Sequence, residues 1–148
     1  MNKKKILFVL NHFEFSNGVA STLRSLIDNL DQDKFEVHIL PLYKYDAEFI
    51  EPIKEKVTVH SGFGLYFRGL DKAVDVCPKK LLYKLLVRDN YDLEVAFQFG
   101  ISTKMISSSP NPNKVCWMHG YDTNMVLRKF YHKFLQIICV SKIGKSKL

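Results

Sequence analysis

The sequence predicts an α/β domain: a doubly wound, mostly parallel sheet with helices on both faces. Three observations carry that expectation. Short apolar runs alternate with amphipathic stripes along the 148 residues. The first run, Ile6–Leu10, is unbroken, as a strand buried on both faces requires. The loop after it ends Ser16-Asn17-Gly18 and opens directly into a stripe with Ala20, Leu23, Ile27 and Leu30 at helical spacing.

The elements follow in order. Val19–Leu30 is expected to be a helix, Asp31–Lys34 a turn and Phe35–Leu40 a second strand. Asp46–Ile53 suits a short helix with Pro52 near its end, and Val57–His60 a third strand. Pro78 is placed at the first position of a helix that turns Leu81, Leu82, Leu85 and Leu86 inward. Leu93–Phe97, Lys114–Met118 and Leu135–Val140 complete the strands, with helices over Gly100–Ser108 and Thr123–Phe134 between them. In the last helix Val126, Phe130 and Phe134 are expected inward, and Arg128, Lys129 and Lys133 outward. This alternation implies right-handed crossovers. Ser61–Cys77 breaks the pattern, holding three of the seven glycines beside Phe63, Tyr66 and Phe67. It reads either as a loop exposing aromatics to a lipid-like acceptor or membrane, or as one whose aromatics fold back onto the core.

Composition bounds the function. An apolar content of 47% is enough for one ordinary core, and no run approaches the roughly 18–20 apolar residues of a membrane span. The basic start, Asn2-Lys3-Lys4-Lys5, leads into a strand and not into a cleavable leader, because Asn11, His12 and Glu14 follow the short apolar run. A cytoplasmic protein is expected, peripheral at the inner face of a membrane if its basic part docks there. Cys77, Cys116 and Cys139 are distant and odd in number, as reduced thiols are, and Cys116 and Cys139 sit in apolar runs as packing residues. The net charge of +7 is lopsided: residues 1–94 hold 14 basic and 14 acidic side chains, and residues 95–148 hold eight basic ones against Asp122. That excess suits a solvated face, an anionic ligand, an anionic membrane surface or an acidic partner. Nucleic acid is not expected, since no recognition motif accompanies the charge.

Three segments together resemble the N-terminal, acceptor-binding domain of GT-B glycosyltransferases of the retaining family 4 type. They are KKILFVLNHFEFSNGVASTLRSLIDNL, YDLEVAFQFGISTKMISSS, and KVCWMHGYD followed by FLQIICVSK. The resemblance spans nearly the whole chain and rests on the order and spacing of these segments. It implies a single Rossmann-like domain over residues 1–148 and a nucleotide-sugar donor shared with a C-terminal domain that this sequence does not contain. It also implies a saccharide or lipid-linked acceptor, in polysaccharide or glycolipid synthesis. No cofactor and no metal are expected, and the fragment is expected to be inactive alone. Asn17 stands where the family usually has a glycine, and Ala20 where it often has a glutamate.

On this resemblance His119 is the candidate catalytic residue, at the carboxyl end of a strand and facing the interdomain cleft. Asn17, Gly18, Gly100, Gly120, Ser141 and Lys142 are the candidate substrate-binding residues. Each has a plainer reading. Gly18 also suits a helix start, Gly100 a strand terminus, and Ser141 with Lys142 a helix cap. His12, His38, His60 and His132 show no metal-ligand spacing and are assigned no role. The rival expectation is a free-standing flavodoxin-like or nucleotide-binding module without catalysis. A reading frame continuing into a second βαβ pattern with paired glutamates would favour the enzyme.

Overall fold

Six strands form one sheet in the order β3-β2-β1-β4-β5-β6, with every pairing parallel. The computed structural model describes residues 2–120 and 128–140. The strands are β1 (Lys4–Phe13), β2 (Phe35–Tyr45), β3 (Val57–Val59), β4 (Leu93–Ala96), β5 (Lys114–Met118) and β6 (Gln136–Cys139). The helices are α1 (Gly18–Asp28), α2 (Ala47–Ile50) running into a 3-10 turn (Glu51–Ile53), α3 (Leu70–Val76), α4 (Lys79–Leu86), α5 (Ile101–Ile106) and α6 (Arg128–Tyr131). The expected doubly wound α/β class is therefore the observed one.

Alternation along β1 builds the two faces. Ile6, Phe8 and Leu10 join Leu23 and Ile27 of α1 and Phe49 of α2, while Leu7 and Val9 join Val74, Leu82 and Met105 from α3, α4 and α5. Leu23 and Ile27 are fully buried, each worth about 1.5–3 kcal/mol in transfer from water. The chain winds from β1 outward to β3, then crosses back over the sheet to β4 on the other side of β1. The loops after β1 and β4 thus diverge, leaving a crevice at their carboxyl ends, the usual ligand position in such folds.

Several expectations need correction. β2 runs through Pro41 to Tyr45. Pro41 pairs with Leu10 on one side, while on the other its carbonyl accepts from Gly62 N at 3.2 Å. The missing proline donor is tolerated because β3 has already ended opposite Ile39. The approach is so close that a Cβ on Gly62 would lie 2.4 Å from the Leu42 carbonyl oxygen. Pro78 caps α4 and does not open its first turn. Of the four leucines, Leu82 is buried, but Leu81 and Leu85 are more than half exposed. The helix is turned by its Tyr83, whose hydroxyl donates to buried Glu94 at 2.7 Å. Ser61–Cys77 contains α3, started by Gly69 at φ +96°. Its aromatics divide: Phe63 and Tyr66 pack on Tyr43, and Phe67 is exposed. Cys116 is buried and Cys139 only half-buried on the outer strand. Of the expected helix Thr123–Phe134, residues 123–127, Val126 among them, lie outside the described residues. The described part is one helical turn that packs Tyr131 inward and Phe130 partly so, followed by buried Phe134.

Candidate functional site

A cavity of about 320 Å³ opens at the crevice between the carboxyl ends of β1 and β4, on the α3 and α5 side. β1 delivers Asn11 and His12, β2 delivers Tyr43, the segment before α3 delivers Tyr66, and Gly100 and Lys104 border it from α5. Local backbone irregularity aims these side chains. The β1–β2 register shifts between Leu10 and His12, so the strand ends bend where the cavity begins. Asn11 N donates to the Gln98 side chain at 2.9 Å, tying the end of β1 to the loop after β4. Gly100 then turns at φ +110°, ψ −126°, a conformation that favours glycine, and α5 starts.

Three polar atoms in this wall are buried and have no hydrogen-bond partner: Asn11 Oδ1, His12 Nδ1 and the Tyr43 hydroxyl. Buried polar groups are normally paired, so three unpartnered atoms beside one cavity single it out as the candidate site. Rings frame the same space. His12 lies 5.3 Å from Tyr43 and edge-on to Tyr66 at 5.0 Å. Burial lowers the pKa of His12, with Glu14 opposing and Lys44 assisting, so the imidazole is neutral at pH 7. Burial, with Asp71 adding to it, pushes the Tyr43 phenol up to about 12, which keeps it a donor. At the rim Asp75 pairs with Lys104 at 2.6 Å and with Lys79 at 3.7 Å. Lys104, one of the eight basic residues of the last third, is thus an ion-paired, largely covered side chain.

The candidate residues fall in separate places. Gly100 borders the cavity. His119 and Gly120 follow β5, with the His119 ring 4.7 Å from Phe97 and 6.2 Å from Trp117. Those neighbours pack on the α1 side of the sheet, away from the cavity. His119 Nε2 is also buried and without a partner. Burial lowers the pKa of His119 and a backbone hydrogen bond with Phe97 opposes it, leaving a neutral ring. Asn17 caps α1: its Oδ1 accepts from Val19 N at 3.0 Å and its Nδ2 donates to the His12 carbonyl at 2.9 Å. Gly18 is exposed in the first turn of α1, and a Cβ there would meet nothing within 4 Å. That turn carries no acidic residue, and its Val19 amide is already taken by the Asn17 side chain. Ser141 and Lys142 lie outside the described residues.

Sequence reasoning missed Asn11, His12 and Tyr43. The available signal was positional: Asn11 and His12 end the first buried strand, where α/β sheets collect ligands. Screening histidines for metal spacing passed over His12 for that reason. Among the described residues no group of three or more histidine, cysteine or acidic side chains is placed to hold a metal ion, and no helix is long and apolar enough to cross a membrane. The geometry defines a doubly wound α/β domain with a cavity at its topological switch point. No protein-family model matches the chain, and no curated protein matches it significantly in sequence.

Proposed function

We propose that this domain is the acceptor-binding half of a retaining, nucleotide-sugar-dependent glycosyltransferase. The observation that carries the reading is the switch-point cavity with its three orphaned polar atoms and aromatic rim. An amide oxygen, a neutral imidazole and a phenol are hydrogen-bonding partners for hydroxyl groups. Rings at Tyr66 and His12 offer apolar faces to a sugar's C–H surface, and a few fixed polar groups among rings is how small-ligand sites achieve orientation. The donor's diphosphate would lie against the first turn of α1 at Gly18, and His119 would face the transferring sugar. The family resemblance of the three segments supports this division, and fold analogy alone would not. An anionic membrane surface belongs to the same proposal as the site of a lipid-linked acceptor, with Lys129 and Lys133 exposed toward it.

The test is transfer. Residues 1–148 alone should release no nucleotide from a nucleotide sugar, and the same residues joined to a donor-binding domain should. In the joined protein His119→Ala should abolish turnover while far-ultraviolet circular dichroism stays unchanged. Turnover by the chain alone, or full turnover without His119, contradicts the proposal. Nucleotide binding without transfer in the joined protein would favour a non-catalytic module.

A further inference from the structure

At the opposite end of the sheet, by the amino ends of the strands, lies a groove of about 680 Å³. Lys80 and Lys84 of α4 line one wall, and Lys114, the first residue of β5, lies across from them. Lys133, ahead of β6, and the hydroxyl residues Ser107 and Ser108 after α5 complete it. Four ammonium groups therefore border one concavity. Among the described residues no carboxylate lies within 4 Å of any of them, although seven of the eleven other described lysines are ion-paired.

Lys114 is the most demanding of the four. It is 8% exposed, and its Nζ makes one hydrogen bond, to the Ser109 carbonyl at 2.5 Å. An ammonium carries three donors, and a buried one without an anion is costly. Burial lowers its pKa, Lys133 lowers it further, and the buried Glu94 carboxylate opposes them. Glu94 accepts from Tyr83 through one oxygen, its other oxygen is buried without a partner, and it forms no ion pair with Lys114. The groove thus carries four lysines from three parts of the chain with no ion pair among them. The Ser107 and Ser108 hydroxyls already donate to the Lys104 carbonyl at 2.7 and 3.3 Å, so the donors left to a ligand are the lysines. A phosphate presents several charged oxygens at once and can take donors from lysines on different elements. A single carboxylate has too few oxygens for that set.

We infer that this four-lysine groove is a binding site for a phosphate-bearing anion, separate from the switch-point cavity; it shares Lys133 with the membrane face proposed above. The same chemistry reaches the groove on a soluble diphosphate or on the headgroup of an anionic lipid. Leu81 and Leu85 stand exposed on α4 next to its lysines.

The experiment uses the full chain with two probes. Inorganic pyrophosphate is titrated by calorimetry, and phosphatidylglycerol vesicles are compared with phosphatidylcholine vesicles by co-sedimentation. Each lysine neutralised, as Lys84→Gln or Lys133→Gln, should weaken binding roughly tenfold, as loss of a charge-assisted hydrogen bond does. Lys3→Gln, which removes the same charge elsewhere, should leave it intact. Saturable pyrophosphate binding with this pattern supports the site with a soluble ligand. Binding to phosphatidylglycerol alone, with the same dependence, supports it with a lipid phosphate. Equal weakening by Lys3→Gln would reduce the effect to net charge and overturn the inference. So would binding of neither probe. Both glutamine variants replace exposed residues, so their folding is not in question; a circular dichroism melt verifies it.

Discussion

Replacing Asn17 by alanine separates the structural from the ligand-binding role of the first loop. The side chain makes two hydrogen bonds, accepting from Val19 N and donating to the His12 carbonyl. Loss of an N-cap acceptor costs about 1 kcal/mol, and loss of a part-buried side chain to backbone bond costs about 1 kcal/mol more. The sum of about 2 kcal/mol should lower the melting temperature by about 4–8 °C for a chain of this size. Asn17→Asp keeps the cap and loses the donor, so it should lose about half as much. Gly18→Val is the contrasting variant. Its Cβ enters open space, and the helical position demands no left-handed backbone. Stability should change by less than about 0.5 kcal/mol, while in an active two-domain enzyme the branched side chain would obstruct a diphosphate at the helix start. Urea unfolding followed by circular dichroism reads all three. An Asn17→Ala chain as stable as the parent, or a Gly18→Val chain that unfolds, would refute this division of labour.

Other variants and conditions probe the same frame. Gly62→Ala places a methyl against the Leu42 and Pro41 carbonyl oxygens and should destabilise by about 3 kcal/mol, as overpacking against unyielding backbone does; a urea midpoint unchanged from the parent would contradict it. Stability should also fall on acidification. His12, His60 and His119 all have folded pKa values lowered from 6.5, chiefly by burial. Below about pH 6.5 the unfolded chain therefore takes up protons that the folded chain resists, and stability present above that value is lost as the pH drops. A melting temperature flat between pH 7.5 and pH 5.5, values bracketing the ordinary histidine pKa of about 6.5, would deny that these rings are held neutral.

Much of the fold was legible because burial writes itself into sequence. Ile6–Leu10 and the Ala20, Leu23, Ile27 stripe are apolar where both sides meet protein, and both elements formed as expected. What stayed hidden depends on contacts between distant residues. Pro41 looks like a strand end until Gly62 is seen to close against its far side. The leucine stripe of α4 suggests one orientation, and the Tyr83 to Glu94 hydrogen bond imposes another. The site was legible in position more than in identity. Gly100, a candidate from the sequence, borders the cavity, but the unpartnered atoms of Asn11, His12 and Tyr43 come together through strand pairing and a register shift, which no local pattern encodes. Lys104 belongs to the basic last third by sequence, and only the fold brings Asp75, 29 positions away, against it.

The central claim is that the switch-point cavity takes a saccharide, and the most direct measurement is a nuclear magnetic resonance titration of the isotope-labelled chain with a panel of mono- and oligosaccharides. The account predicts that at least one sugar shifts the signals of Asn11, His12, Tyr43, Tyr66 and Gly100 together and saturably. It also predicts that Tyr66→Ala, which removes an exposed ring from the rim, weakens that binding without unfolding the chain. Shifts that avoid these residues for every sugar tested, or binding indifferent to loss of Tyr66 and of the Asn11 amide, would contradict it.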